Sequence, residues 1–103
     1  MKTLDVITTE VVPRRACVLI TGRVQGVGFR DFVCSAARGY QCVGFVRNSR
    51  DRKAVEIVAE GRECDLVALI AVVEDGPPAS RVDRTIITWD KATDEFDSFN
   101  IRF

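Results

Sequence analysis

Gly22-Arg23-Val24-Gln25-Gly26-Val27-Gly28 puts three glycines in seven residues between two segments of opposite character. Before it, Ala16 to Thr21 (ACVLIT) is an apolar run bounded by charge and glycine, the pattern of a buried central strand. After it, apolar side chains recur at Phe29, Val33, Ala36, Ala37 and Tyr40, a spacing that lines one face of a helix. The unit is strand, glycine-rich loop, helix. It requires a sheet with a helix packed on it.

The rest of the chain extends this plan. Cys42 to Arg47 (CVGFVR) and Ala54 to Glu60 (AVEIVAE) read as strands, the second with Val55, Ile57 and Ala59 on one face and Glu56 and Glu60 on the other. The polar Asn48 to Lys53 between them predicts a hairpin turn. A second helix is predicted over 63–74, with Leu66, Val67, Leu69, Ile70 and Val73 as its apolar side. Glu63 and Asp65 suit its positive end, and Gly76-Pro77-Pro78 stops it. Strands follow at Val82 to Trp89 and Phe96 to Phe103, where Phe99, Ile101 and Phe103 alternate with Asn100 and Arg102. The order βαββαβ plus a C-terminal strand fits an α+β, ferredoxin-like two-layer sandwich. In that fold both helices cover one face of a mainly antiparallel sheet. Residues 1–14, ending near Pro13, form an N-terminal tail or added edge strand, and 15–103 form the domain.

Composition narrows the chemistry. The chain of 103 residues is 47% apolar and 29% charged, the balance of a globular domain. No apolar run approaches the ~18 to 20 residues of a membrane span, and Met1 to Glu10 mixes charge with threonine where a signal peptide has an apolar core. The expectation is a cytoplasmic protein. Cys17, Cys34, Cys42 and Cys64 form no C-x-x-C pair and read as small buried thiols. With no histidine, Ser-His-Asp and Cys-His catalysis and a histidine base are all absent. Any chemistry must use Arg, Asn, carboxylates, hydroxyls or backbone.

Basic and acidic residues balance at 15 each, yet unevenly: ten basic against four acidic through Lys53, then five against eleven. The basic half contains the glycine loop. There, glycines let successive N–H groups turn inward, and the first N–H groups of the helix lack an internal acceptor; such a concavity binds oxyanions. Arg30, in the first helical turn, adds a planar fork of donors matching two phosphate oxygens. A tight strand-to-helix turn explains the same glycines. The loop is no Walker motif, because no G-K-[ST] follows, and it is no G-x-G-x-x-G. Asn48 ends the second strand, where an asparagine is ordinarily a turn-former, and pattern alone does not place it beside the loop.

Gly22 to Arg30 (GRVQGVGFR), then Val43 to Asn48 (VGFVRN), Val55 to Gly61 (VEIVAEG), Gly76-Pro77-Pro78, Ser80 to Arg84 and Phe96 to Phe103 closely resemble the acylphosphatase family over about 16–103. The resemblance implies hydrolysis of the carboxyl-phosphate bond of small acyl phosphates, with no metal and no cofactor. It puts the catalytic arginine at Arg30 and the catalytic asparagine at Asn48. Backbone N–H groups of Gln25, Gly26, Val27, Gly28, Phe29 and Arg30 would hold the phosphoryl oxygens, and Asn48 would orient the attacking water. The implied partner is a small acyl phosphate substrate, with no nucleic acid and no membrane, and the expectation is a monomer. The competing reading is a non-catalytic, anion-binding or partner-assisting module of the same fold, as in larger carbamoyl-transfer proteins. Two positions depart from the family pattern. The turn after Asn48 has Asp51-Arg52-Lys53-Ala54 in place of Asp-Gly, and Gln41 stands where a helix-ending glycine is expected.

Other features have bland readings. Glu74-Asp75 and Asp94-Glu95-Asp97 are solvated loop charges. Trp89, Phe99 and Phe103 are read as core or edge packing and not as an RNA-stacking surface, since the chain lacks the matching aromatic motif and net positive charge. Arg47, Arg50, Arg52 and Lys53 form either an exposed hairpin tip or an attractor of anionic substrate.

Overall fold

The computed structural model describes residues 12–103. Their elements run β1 (Arg14–Arg23), α1 (Phe29–Gly39), β2 (Val43–Asn48), β3 (Ala54–Gly61), α2 (Glu63–Asp75), β4 (Arg81–Lys91) and β5 (Phe99–Ile101). Residues 1–11 of the predicted tail or edge strand lie outside the described residues, and β1 starts at Arg14, two residues before the apolar run. The sheet order is β4-β1-β3-β2-β5. β3 is antiparallel to both β1 and β2, and β5 is parallel to β2. β1, β2 and β5 therefore point the same way, and their carboxyl ends share one edge of the sheet.

Alternation along the strands sends Ala16, Val18 and Ile20 of β1 and Val55, Ile57 and Ala59 of β3 toward the helices, where all are buried. Phe29, Val33, Cys34 and Ala37 of α1 and Leu66, Leu69, Ile70 and Val73 of α2 close that core. Val67, expected on the apolar side of α2, is 52% exposed. It follows Leu66 by one residue, so about 100° of helical turn carries it past the edge of the stripe. Cys34 and Cys42 are buried as expected; Cys17 is half-buried on the opposite sheet face and Cys64 is exposed in the first turn of α2. Among the described residues no helix is long and apolar enough to cross a membrane.

The last predicted strand is shorter than its alternation suggests. Only Phe99–Ile101 pairs, and the preceding 92–98 folds over the sheet face away from the helices. Glu60 holds it there: its carboxylate accepts from Arg15 Nε (2.7 Å), the Thr93 N–H (2.9 Å), the Thr93 hydroxyl (3.0 Å) and the Asp94 N–H (3.2 Å). Phe96 then packs edge-on against Phe45. Glu60 lies on the predicted polar face of β3 yet is 3% exposed, because this segment covers it.

Both departures from the family pattern fall at left-handed backbone. Gln41 has φ 59°, and beside it the Cys42 N–H donates to the Ala37 carbonyl (2.9 Å) and the Gln41 N–H to that of Arg38 (3.1 Å). This is the paired-bond helix ending that glycine usually serves. In the hairpin, Arg52 has φ 61° and donates its N–H to Ser49 O, while the Ser49 N–H donates to Ala54 O and the Ser49 hydroxyl accepts from the Ala54 N–H.

Candidate active site

β1 delivers the chain to the shared edge, and the loop Val24–Gly28 carries it over to α1. The three glycines do different work. A Cβ at Gly22 would lie 2.1 Å from Arg81 O, so this residue lets β4 pass close at the bulge between Thr21 and Gly22. Gly22 serves the sheet. Gly26 (φ 68°) and Gly28 (φ 73°) have open space where a side chain would be, and it is their left-handed backbone that requires glycine. Gly28 is the N-cap of α1 and offers no side-chain cap. The Phe32 N–H makes the first helical bond, to Gly28 O (3.0 Å). Among the described residues no protein acceptor meets the N–H groups of Gln25 to Arg30. Six N–H groups of the loop and the first helical turn thus carry no protein partner among the described residues.

Buried side chains anchor this loop. Val24 and Phe29 are 2% exposed, Val27 packs against the core, and the Gln25 side-chain amide donates to Ala54 O (3.1 Å) where β3 begins. Gln25 therefore ties the loop to the base of the β2–β3 hairpin, a role its place in the motif did not suggest.

A cavity of about 250 Å³ opens in front of the loop, lined by Gly26, Gly28, Arg30 and Asn48 with Val24, Phe29, Asp31, Ile101 and Phe103. Gly26, Gly28, Phe29 and Arg30 of the predicted loop set border it; Gln25 and Val27 do not. Asn48 reaches it because β2 runs parallel to β1 with β3 between them, which puts the end of β2 beside the loop. Val46 is fully buried toward the helices, and Asn48, two residues on, shares that face. Among the described residues the Asn48 amide and the Arg30 guanidinium make no hydrogen bond or ion pair with protein; both are half-buried. The guanidinium carbon of Arg30 lies 5.0 Å from the centre of the Phe103 ring, within cation–π range.

Phe103 corrects one expectation: it is fully exposed at the cavity mouth, whereas Phe99 is in the core and Trp89 is half-buried under Arg14. The alternation of Phe99, Ile101 and Phe103 was visible in the sequence. That it faces the loop follows from the parallel β2–β5 pairing, which pattern does not reveal. The basic cluster is divided. Arg47 pairs with Glu56 across the β2–β3 ladder (2.7 Å), while Arg50, Arg52 and Lys53 are exposed at the hairpin tip. Among the described residues no group of three or more His, Cys, Asp or Glu side chains comes together to hold a metal. Such a site can bind a tetrahedral oxyanion through backbone donors and one arginine, with an uncharged amide beside it.

The chain and its fold have counterparts among known proteins. The family model "Acylphosphatase" matches residues 16–101. The acylphosphatase of Salinibacter ruber is 43% identical over 89 residues, 86% of this chain and 93% of that protein. The crystal structure of acylphosphatase from Bacillus subtilis superposes with a TM-score of 0.83 at 36% identity, covering 87% of this chain and 99% of the other. Full-length HypF in its phosphate- and nucleotide-bound form gives 0.82 at 32% identity, over 93% of this chain and 13% of that one.

Proposed function

Since the chain belongs to the acylphosphatase family, an enzyme family acting on acyl phosphates, we propose that Arg30, Asn48 and the backbone N–H groups from Gln25 to Arg30 carry out that reaction. The observation that carries this reading is the single cavity that Gly26, Gly28, Arg30 and Asn48 line together. The N–H groups and Arg30 bind the phosphoryl oxygens and stabilise the charge on them as the bond to the acyl oxygen lengthens. The Asn48 amide orients a water for attack on phosphorus. The P–O(acyl) bond breaks as the water oxygen bonds to phosphorus, and a phosphoryl oxygen takes the water's proton. The products are a carboxylate and inorganic phosphate. A carboxylate leaves readily, so the residues supply position and charge, and a histidine base is dispensable.

We read residues 15–103 as the catalytic domain, working as a cytoplasmic monomer without nucleic acid. The test is hydrolysis of benzoyl and acetyl phosphate by purified protein with a metal chelator present. Turnover is expected to persist. Its loss with chelator defeats the metal-free mechanism, and absence of turnover with retained phosphate binding favours the binding-module reading.

A further inference from the structure

We propose that the Gln25 side chain sets the spacing between the glycine loop and Asn48, and so positions the attacking water relative to phosphorus; this rests on the assignment of the phosphoryl group to the loop and of the water to Asn48. The Asn48 amide makes no hydrogen bond with protein among the described residues, so its place depends on the backbone that carries it. Asn48 is the last residue of β2, opposite Val55, and the turn residues Arg50 to Lys53 beyond it are exposed. The residue between, Ser49, is held by Ala54: its N–H donates to the Ala54 carbonyl at 2.8 Å, and its hydroxyl accepts the Ala54 N–H at 3.0 Å. The same Ala54 carbonyl accepts the Gln25 side-chain amide at 3.1 Å. A carbonyl oxygen has two lone pairs. Here one holds the chain next to Asn48 and the other holds the chain next to Gly26.

The loop has other anchors. Val24 and Phe29 are buried and Val27 packs against the core, but apolar burial has no direction. Among the described residues the Gln25 amide makes the one hydrogen bond that joins residues 24–28 to residues 48–54. Gln25 is half-buried and does not line the cavity, so it touches neither the anion nor the water. It is a positioning residue. A glutamine suits the task because its amide is an uncharged donor, whereas a glutamate carboxylate would set oxygen against oxygen. Displacement of a reacting group by about 1 Å can cost on the order of 10²-fold in rate, so a single bond of this kind can be read in turnover.

The experiment measures kcat and KM for acetyl phosphate and the inhibition constant of inorganic phosphate in the wild type, Gln25→Leu, Asn48→Ala and the double variant, with a urea midpoint for each. Gln25→Leu keeps the bulk and removes the donor. It should lower kcat about five- to twentyfold while the phosphate inhibition constant stays within about twofold, because the anion's own donors are untouched. Since the amide acts through Asn48, adding Gln25→Leu to Asn48→Ala should lower kcat by less than about twofold more. Gln25→Asn, the same amide one methylene short, should show the same split and serves if Gln25→Leu does not fold. An unchanged kcat overturns the proposal, and a lowered urea midpoint beside it leaves Gln25 as an anchor of stability only. Weakened phosphate inhibition, or losses that multiply in the double variant, also overturns it, because the amide then shapes the anion site or acts apart from Asn48. The underlying site assignment fails separately, and this proposal with it, if Asn48→Ala keeps full kcat.

Discussion

Arg30 reaches the cavity from the first turn of α1, free of any ion pair among the described residues and stacked on one ring. Its fork of donors is therefore available to a ligand. Arg30→Ala should reduce kcat/KM on acetyl phosphate by about 10²- to 10⁴-fold, in the range of oxyanion donors and arginine clamps; near-normal activity would remove Arg30 from the reaction. Asn48 is assigned to the water, so Asn48→Ala should lower kcat while the inhibition constant of inorganic phosphate stays within about twofold. A large loss of phosphate affinity would reassign it to the anion. Gln41 gives a prediction about stability. Its left-handed backbone at the exit of α1 suits glycine, and its side chain is exposed with nothing to lose. Gln41→Gly should raise stability by about 0.5–1 kcal/mol, read as a higher urea midpoint at unchanged slope. A lower midpoint would mean that the flexibility glycine adds to the unfolded chain outweighs the strain relieved.

Among the elements, the β4–β5 connection depends most on one residue. Arg15 and Glu60 are cross-strand partners on β1 and β3, and Glu60 also accepts the N–H groups of Thr93 and Asp94. Burial by itself pushes the Glu60 carboxyl up, but the Thr93 N–H, the Arg15 guanidinium, the Thr93 hydroxyl and the Asp94 N–H outweigh it and hold the carboxyl below its ordinary value. A carboxyl lowered in the folded state adds stability above its unfolded pKa, and this is lost as pH falls through the folded value. Glu60→Gln should thus cost about 2 kcal/mol at neutral pH, by breaking charge-assisted bonds in a covered site. The gap between the two urea midpoints should shrink below about pH 4, where the carboxyl of the unfolded chain takes its proton before that of the folded protein does. A gap that stays constant as pH falls well below that range would show that the charge is not what holds residues 92–98. Sequence alternation placed Glu60 on the solvent side of β3. What covers that side is a segment more than thirty residues away, read from the sequence as a loop up to Glu95 and as strand from Phe96, and found as a strap.

The whole molecule distributes its charge in a way the equal totals conceal. Arg14 pairs with Glu63, Arg15 with Glu60 and Glu95, and Arg47 with Glu56, so three cations of the basic half are neutralised by the acidic half. Arg30, Arg50, Arg52 and Lys53 form no ion pair among the described residues, and they belong to the loop and hairpin elements around the site. This leaves unpaired positive charge beside the proposed site, where an acyl phosphate would arrive. With acetyl phosphate, kcat/KM should fall about two- to fivefold between ~20 mM and ~200 mM salt, as screening shortens the reach of exposed charges. A flat profile would confine the electrostatics to the site itself.

Sequence alone determined what is local or periodic: the strand–loop–helix unit, both helices, the hairpin and the inward faces of β1 and β3, because backbone preference and burial repeat at fixed spacings. It also placed Arg30 at a helix N-terminus. Other features depended on which strands run parallel and what they pass close to. The meeting of Asn48 with the loop required β2 to lie parallel to β1 across β3, and Phe103 entered the same cavity through the parallel β2–β5 pair. Gly22 turned out to serve β4, and Glu60 was buried by residues far along the chain. A residue's own neighbours in sequence state its preferences, but only the packed sheet decides which distant backbone comes within hydrogen-bond reach, and the cavity is made from those encounters.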